Sequence, residues 1–354
     1  MDITRIAAQG YEDVLRIEDA RVGLVGFIAL HSTALGPAAG GLRMRPYPSE
    51  DAALTDALRL AKGMTLKNAA AGLPLGGGKA VVIGDPDRHK NSALLAAIGR
   101  SVDSLGGRYW TAEDMGMTPA DMAEIATQTP FVAGRPDGPY SSGDPSPVTA
   151  RGILAALHVT AQKRFGSETL EGLRVAVQGL GHVGRHLCAL LHEAGACLTV
   201  SDLNQEAVAA VQARFGARVV ATDSILAASA DILAPCAVGG ILNSDSIPNL
   251  RVGAIAGGAN NQLATPEDGE RLHQNGILYA PDFIANAGGI INVATEILRV
   301  PDRGPWVDRK LHAARQTLSQ ILNRAAEEDA SPNDVAETHV EQLLRAGPSA
   351  HAAE

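Results

Sequence analysis

The sequence predicts an α/β protein of two domains, the second wound around a parallel sheet and the chain finished by C-terminal helices. Three observations predict it. Strand-like apolar runs alternate with helical patterns between Arg174 and Asp282, the pattern of a doubly wound parallel sheet. One of those strands, Arg174–Gln178, runs straight into Gly179-Leu180-Gly181-His182-Val183-Gly184. Residues 134 to 147, G-R-P-D-G-P-Y-S-S-G-D-P-S-P, are the densest Gly/Pro/Ser segment and mark a hinge or linker. With 354 residues the chain is too long for one ordinary core and comfortable for two.

The elements follow in order. Arg21 to His31 alternates and then turns apolar, as a strand does. His31 to Pro37 reads as a loop, and in Ala38 to Met44 the pair Gly40-Gly41 allows close backbone approach. Ser49-Glu50-Asp51 suits a helix start, and Leu54, Ala57, Leu58, Ala61 and Met64 keep a helical period up to Lys67. Pro74 and Gly76-Gly77-Gly78 cannot continue that helix and read as a tight turn, which Lys79 leaves into the buried strand Ala80–Ile83. An amphipathic helix is expected over Ser92–Leu105 and a short strand over Arg108–Ala112, with Asp114 just past its end. After the linker, Val148 opens a helix to about Phe165. Arg185–Glu193 reads as the helix after the glycine loop, followed by strands at Cys197–Ser201, Arg218–Ala221, Asp231–Ala237, Val252–Ala256 and Ile277–Asp282. Residues 284 to 300 are mostly an apolar helix, Trp306 to Ala346 is helical, and 347 to 354 is a frayed tail.

Composition excludes several classes. A hydrophobic fraction of 45% and a charged fraction of 19% are globular, and 38 glycines suit many tight βα turns. A net charge of −9 without a basic block argues against nucleic acid as a partner. Met1 to Gly10 lacks a basic n-region before an apolar stretch, so no signal peptide is expected. No run of about 18 apolar residues exists, so no membrane span is expected. Cys188, Cys197 and Cys236 are odd in number and lack C-x-x-C spacing, which suits buried, reduced cytoplasmic thiols. No solenoid-type repeat is present.

Lys67 to Lys79, K-N-A-A-A-G-L-P-L-G-G-G-K, is the most distinctive stretch. The stretch departs from a phosphate loop twice: the first glycine of that pattern would fall on Leu73, and Ala80 has no hydroxyl for magnesium. A plain glycine turn with a solvated lysine is the simplest account. A lysine opening an apolar strand must, however, either snorkel outward or shift its pKa. A second cation nearby would lower that pKa further, which is how an amine becomes an acid–base catalyst near neutrality. Asp114 is open to two readings, a strand-end catalytic carboxylate or a helix cap.

The glycine loop reads as a dinucleotide site. Its strand, its G-x-G-x-x-G and its following helix are in the right order, and Asp202 lies 23 residues after Gly179, near the usual offset of the ribose-binding acid. The pyrophosphate would rest over Gly181, His182 and Val183 at the helix start. An anionic Asp202 repels a 2′-phosphate, so NAD is expected rather than NADP. His182 and His186 have i, i+4 spacing but no evident third ligand, so no metal is expected. Cys236, Ala237 and Asn260 fall at carboxyl ends of strands, where such sheets bind ligands. The plain reading of Asn260-Asn261 is a turn.

The stretch Lys67–Lys79 resembles the signature of the glutamate, leucine, phenylalanine and valine dehydrogenases, and the resemblance runs over nearly the whole chain, with the leucine-type members most alike. It implies that Lys67 holds the substrate carboxylate and Lys79 does the chemistry. T-A-E-D-M-G resembles the segment whose aspartate, here Asp114, transfers protons. A-G-G-A-N-N resembles the motif whose asparagine, here Asn260, orients cofactor and substrate. Thr149 would sit near the nicotinamide carboxamide, and Gly40, Gly41 and Met64 would border the substrate. Glutamate-specific relatives carry a lysine before the glycine pair and a serine in the late helix; Ala39 and Val293 stand at those positions, so glutamate is disfavoured. Ala112 and Ile290 narrow the side-chain pocket as in leucine-type relatives, while Ala39 leaves room for a ring.

The function so implied is reversible NAD-dependent oxidative deamination of leucine or a branched-chain amino acid, with phenylalanine or tryptophan as the alternative. A non-catalytic dinucleotide-binding sensor or scaffold is the alternative of another class, opposed by the intact Lys67, Lys79 and Asp114. A 2-hydroxy-acid dehydrogenase would need an arginine and a histidine base, and no such pairing stands out. The resemblance also implies a substrate and oligomerisation domain over 1–135, joined by a helix from about 325 to 354, a Rossmann NAD-binding domain over 145–324, and a homo-oligomer built through the first domain.

Overall fold

A computed structural model describes residues 1–138 and 140–347. It divides the chain into two units, the first made of Met1–Asp144, Ile290–Val307 and the chain from Leu343, the second of Pro145–Gly289 and Asp308–Gln342. This corrects the expected return of 325–354 to the first domain. Through Gln342 those residues belong to the second unit, and Ile290–Val307 is a returning segment that the sequence did not announce. Residues 348–354 of the expected tail lie outside the described residues.

The first unit is a six-stranded mixed sheet. Its elements are β1 (Asp2–Arg5), β2 (Asp13–Asp19), β3 (Leu24–Ser32), β4 (Ala38–Arg45), α1 (Glu50–Ala70), β5 (Gly76–Ile83), α2 (Pro86–His89), α3 (Ser92–Asp103), β6 (Tyr109–Glu113) and α4 (Pro119–Ile125). The strand order is β1-β2-β3-β5-β4-β6. The first three pairings are antiparallel, and β5–β4 and β4–β6 are parallel. One face packs Leu15, Ile28, Leu42, Met44 and Val82 against Leu95 and Ile98 of α3 and Met122 of α4. The other packs Phe27, Ala29 and Val81 against Ala53, Ala57 and Ala61 of α1. An alanine stripe lets α1 lie close on the sheet, and Ser49 starts it by accepting the Ala52 N–H at 3.2 Å.

The glycine run is the main departure from expectation here. Gly76, Gly77 and Gly78 are strand, not turn. A Cβ on Gly77 would lie 2.1 Å from the Thr65 nitrogen of α1, and one on Gly76 would lie 2.0 Å from the Ser32 carbonyl. Glycine is needed because a helix and a neighbouring strand crowd this strand, not because the chain reverses. The reversal lies just upstream, where Gly72 takes φ +61°. The close approach expected at Gly40-Gly41 has the same cause, because β4 lies inside the sheet between β5 and β6. A Cβ on Gly40 would lie 1.9 Å from the Gly78 carbonyl.

The second unit carries α5 (Ser146–Phe165), β7 (Arg174–Gln178), α6 (His182–Glu193), β8 (Cys197–Ser201), α7 (Gln205–Phe215), β9 (Arg218–Val219), β10 (Ile232–Pro235), β11 (Ala254–Ile255), α8 (Glu267–Gln274), β12 (Leu278–Tyr279) and α9 (Asp282–Ala285). Then come α10 (Gly288–Ile297), α11 (Arg303–Glu328) and α12 (Pro332–Ala346), along which the chain changes unit. The sheet order is β12-β11-β10-β7-β8-β9, parallel throughout. The order reverses between β7 and β10, which opens a crevice at their carboxyl ends. The expected helix over 284–300 breaks at Asn286-Ala287, where the Asn286 amide donates to the Gly258 carbonyl at 3.2 Å. The helical stretch expected over about Trp306 to Ala346 is two helices, α11 and α12, separated before Pro332 where Asp329 takes φ +50°. Cys188 is buried as expected, but Cys197, at the first position of β8, is exposed. No helix among the described residues is long and apolar enough to cross a membrane.

The linker is tied down within the first unit. Glu296 of α10 is only 3% exposed, yet its carboxylate accepts the Gly134 N–H at 2.9 Å and the Arg135 Nε at 3.0 Å. Arg303 donates to the carbonyls of Ser141 and Ser142 at 3.0 and 2.8 Å. A buried carboxylate and an arginine thus fasten this glycine- and proline-rich segment, which is also closed on itself by the Ser141 hydroxyl donating to the Arg135 carbonyl at 2.6 Å.

Candidate active site

Register brings the charged residues of the first unit together. Leu42 of β4 pairs with Ala80 of β5 and with Glu113 of β6. Lys79 is one residue before that row, and Arg43 and Asp114 are one residue after it. Alternation therefore sends all three side chains to the face opposite Leu42, the face that α1 covers. Lys79 is 3% exposed and its ammonium pairs directly with Asp114. The other Asp114 oxygen accepts the Met115 N–H at 2.6 Å and the Arg43 Nε at 3.0 Å. Arg43 also reaches Asp56 of α1 at 3.2 Å.

Electrostatics follow from this packing. Burial disfavours the ammonium and drives the Lys79 pKa below the ordinary lysine value; Asp114 opposes the shift and Arg43 adds to it. Burial alone would raise the Asp114 pKa, but the charges of Lys79 and Arg43 outweigh it and hold the carboxyl well below the usual range. The solvated-lysine and helix-cap readings of these two residues are thereby set aside. Both are coupled groups in a mostly dry site, the setting in which proton transfer is tuned.

Around the pair the glycines leave room. A Cβ on Gly41 would lie 2.7 Å from the Asp114 Cβ, and one on Gly40 would lie 3.0 Å from the Met64 Cγ. Lys67 lies half-buried in the last turn of α1, and Ala39 and Ala112 are buried on β4 and β6. Ile290 and Val293 stand three residues apart on α10, on neighbouring positions of its surface. The sequence did not single out Arg43, Asp56 or Asn68. Asn68 is fully buried and donates to the Gly76 carbonyl at 2.6 Å, which ties the last turn of α1 to the glycine strand. An arginine inside an otherwise apolar, glycine-rich run, ahead of the terminal Arg45, was the available signal for Arg43.

The second unit brings its predicted residues together by backbone. Gly179 takes φ +97° after β7, and a Cβ there would lie 2.8 Å from Ala237. A Cβ on Gly184 would lie 2.0 Å from the Gly179 carbonyl, so the loop folds tightly on α6. Nothing lies within 4 Å of a Cβ built on Gly181, the N-cap of α6. That open cradle, with N–H groups of His182 and Val183 in the first helical turn, fits a pyrophosphate. α6 begins at His182, three residues before the expected Arg185, because the loop itself enters the helix. The Asp202 carboxylate accepts the Leu180 N–H at 2.5 Å and the Asn204 N–H at 2.7 Å, so it is fixed beside the loop. The Cys236 N–H donates to the Gln178 carbonyl at 2.6 Å, and burial pushes its thiol up to about 11. The Asn260 side-chain oxygen accepts the Asn286 amide at 2.9 Å. Thr149, in the first turns of α5, donates to the Pro145 carbonyl at 2.9 Å.

Comparison with known proteins agrees with this architecture. Residues 13–131 match the family model described as Glu/Leu/Phe/Val dehydrogenase, dimerisation domain, and residues 203–346 match Glutamate/Leucine/Phenylalanine/Valine dehydrogenase. Leucine dehydrogenase of Geobacillus stearothermophilus is 54% identical over 81% of this chain and 78% of its own length. L-tryptophan dehydrogenase of Nostoc punctiforme is 43% identical over 96% of this chain and 95% of its own. A crystal structure of the Nostoc punctiforme enzyme superposes with a TM-score of 0.81 over 95% of this chain and 96% of that one, at 42% identity. The dehydrogenases of this family use a nicotinamide dinucleotide. On this fold, this pairing of buried lysine with carboxylate and these matches, the chain belongs to the Glu/Leu/Phe/Val dehydrogenase family and is an amino-acid dehydrogenase, an oxidoreductase acting on a CH–NH2 donor.

Proposed function

We propose that this enzyme oxidises leucine and other branched aliphatic L-amino acids with NAD, giving the 2-oxo acid, ammonium and NADH reversibly. The buried Lys79–Asp114 pair carries the reading. Lys67 would pair with the substrate α-carboxylate as a point charge. Bound NAD supplies the hydride acceptor. Lys79, partly neutral, would deprotonate the water that attacks the iminium carbon and then stabilise the oxyanion. Asp114 would carry protons to and from the nitrogen. Gly40 and Gly41 leave space for the α-carbon beside Asp114. Gly179 to Gly184, Asp202, Thr149 and Asn260 would hold the dinucleotide, and Asp202 would exclude a 2′-phosphate. Residues 13–131 would form the subunit contact of a homo-oligomer, in keeping with the dimerisation-domain match.

The substrate side chain is argued from what surrounds it. No cation replaces Ala39, and no hydroxyl replaces Val293, so a glutamate side-chain carboxylate buried there would be unpaired at a cost of several kcal/mol. Ala112 and Ile290 narrow the pocket toward branched aliphatics. The second reading, an aromatic substrate, is favoured by the small Ala39 and by the long match to a tryptophan dehydrogenase. The test is kcat/KM for leucine, phenylalanine, tryptophan and glutamate, each with NAD and NADP. Leucine with NAD should lead, although a methyl or two changes discrimination by only about 1–3 kcal/mol. An aromatic preference would replace the aliphatic reading, a glutamate preference would remove the pocket argument, and equal use of both cofactors would remove the role of Asp202. No NADH from any amino acid would favour a sensor or scaffold.

A further inference from the structure

Asp114 has two oxygens, and only one faces Lys79. The second is held by the Arg43 Nε at 3.0 Å and the Met115 N–H at 2.6 Å. The Arg43 guanidinium is held in its turn, because its Nη1 donates to Asp56 at 3.2 Å and the Tyr47 hydroxyl donates to the same Asp56 oxygen at 2.6 Å. Tyr47, Asp56, Arg43, Asp114 and Lys79 therefore form one continuous chain from α1 and the end of β4 to β5 and the end of β6. The Arg43 side chain is 14% exposed, so most of the chain is out of water.

We propose that Arg43 is a positioning residue for the acid–base pair: it clamps one oxygen of Asp114 so that the other stays on Lys79, and Asp56 with Tyr47 aim the clamp. This rests on the reading that Lys79 and Asp114 carry the proton transfers. Only a planar fork spans two carboxylates in this way; a lysine at the position would keep the charge and lose one of the two contacts. The charged groups coupled to Lys79 are Asp114 past β6, Arg43 on β4 and Asp56 on α1, and Tyr109 on β6 feels Asp114. Arg43 lowers the Lys79 pKa while Asp56 raises it. Opposite substitutions should therefore move the pH profile in opposite directions, which a merely structural role would not do.

The experiment measures kcat against pH for Arg43→Met, Arg43→Lys and Asp56→Asn, with Lys79→Ala alongside. Arg43→Met should lower kcat by about 100-fold and shift the acidic limb to higher pH. Arg43→Lys should restore the limb toward wild type while recovering kcat only in part. Asp56→Asn should shift the limb to lower pH with a smaller loss of kcat. Wild-type kcat in Arg43→Lys, or limbs that move the same way or not at all in the two kinds of variant, overturns the inference. If Arg43→Met fails to fold, the kcat deficit of Arg43→Lys and the limb shift of Asp56→Asn decide it. An active Lys79→Ala enzyme would overturn the underlying reading instead, so the two failures are distinct.

Discussion

In the first unit the candidate site is made of side chains that are far apart in sequence: Lys79 meets Asp114 35 residues on, and Arg43 meets Asp114 across 71. In the second unit the candidate site is made of backbone, six consecutive residues from Gly179 to Gly184 and one carboxylate, Asp202, pinned to them. The difference follows from the chemistry proposed for each. A proton-transfer group has to be buried to be tuned, and a buried charge must be paired, so its partners are drawn from several strands. A pyrophosphate is held by N–H groups at a helix start, and there side chains are chiefly obstacles. The first design is sensitive to the loss of a partner, whereas the second is sensitive to a Cβ added at its glycines.

Three measurements break or sharpen that contrast. The largest effect should come from Lys79→Ala, with turnover falling by about 10³-fold or more and NAD affinity unchanged, since that lysine belongs to the other unit. The wild-type profile belongs to the same test. Because burial lowers the Lys79 pKa, kcat should rise with pH and level off below the ordinary lysine value of 10.5. A limb at or above that value would take Lys79 out of the mechanism.

Lys67→Ala should come next, raising the amino-acid KM by about 10–100-fold with a smaller change in kcat. An unchanged KM would mean that the carboxylate is held elsewhere. The smallest effects test the backbone site by a pair of glycines. Gly184→Ala places a Cβ 2.0 Å from the Gly179 carbonyl, so it should lower stability by about 1–3 kcal/mol in a thermal melt. Gly181→Ala meets nothing within 4 Å, so it should leave the melt unchanged while weakening NAD binding roughly tenfold. If both variants melt alike and bind NAD alike, the loop is not the phosphate cradle.

Legibility in the sequence tracks locality. The α1 stripe, the strand into G-x-G-x-x-G and the offset to Asp202 are local patterns, and each is found where the residues predicted it. β1 and β2 escaped notice because β1 is a short, wholly exposed edge strand and β2 mixes charged with apolar positions. The run Gly76–Gly78 misled because glycine marks both reversal and close approach, and only the position of α1 distinguishes them.

The sequence by itself determined that there are two α/β units, that one carries a strand running into G-x-G-x-x-G and a helix, and that Lys67 and Lys79 bracket the most distinctive segment. Those features are encoded in spacing along a single helix, strand or turn. The tertiary structure alone decided that Lys79 is buried, that Asp114 is its partner, and that Arg43 and Asp56 complete the cluster. It also decided that Glu296 anchors the linker. These depend on which strands lie side by side and which face of the pleat each residue takes. Pairing across β5, β4 and β6 is a property of register, and no stretch of sequence contains it.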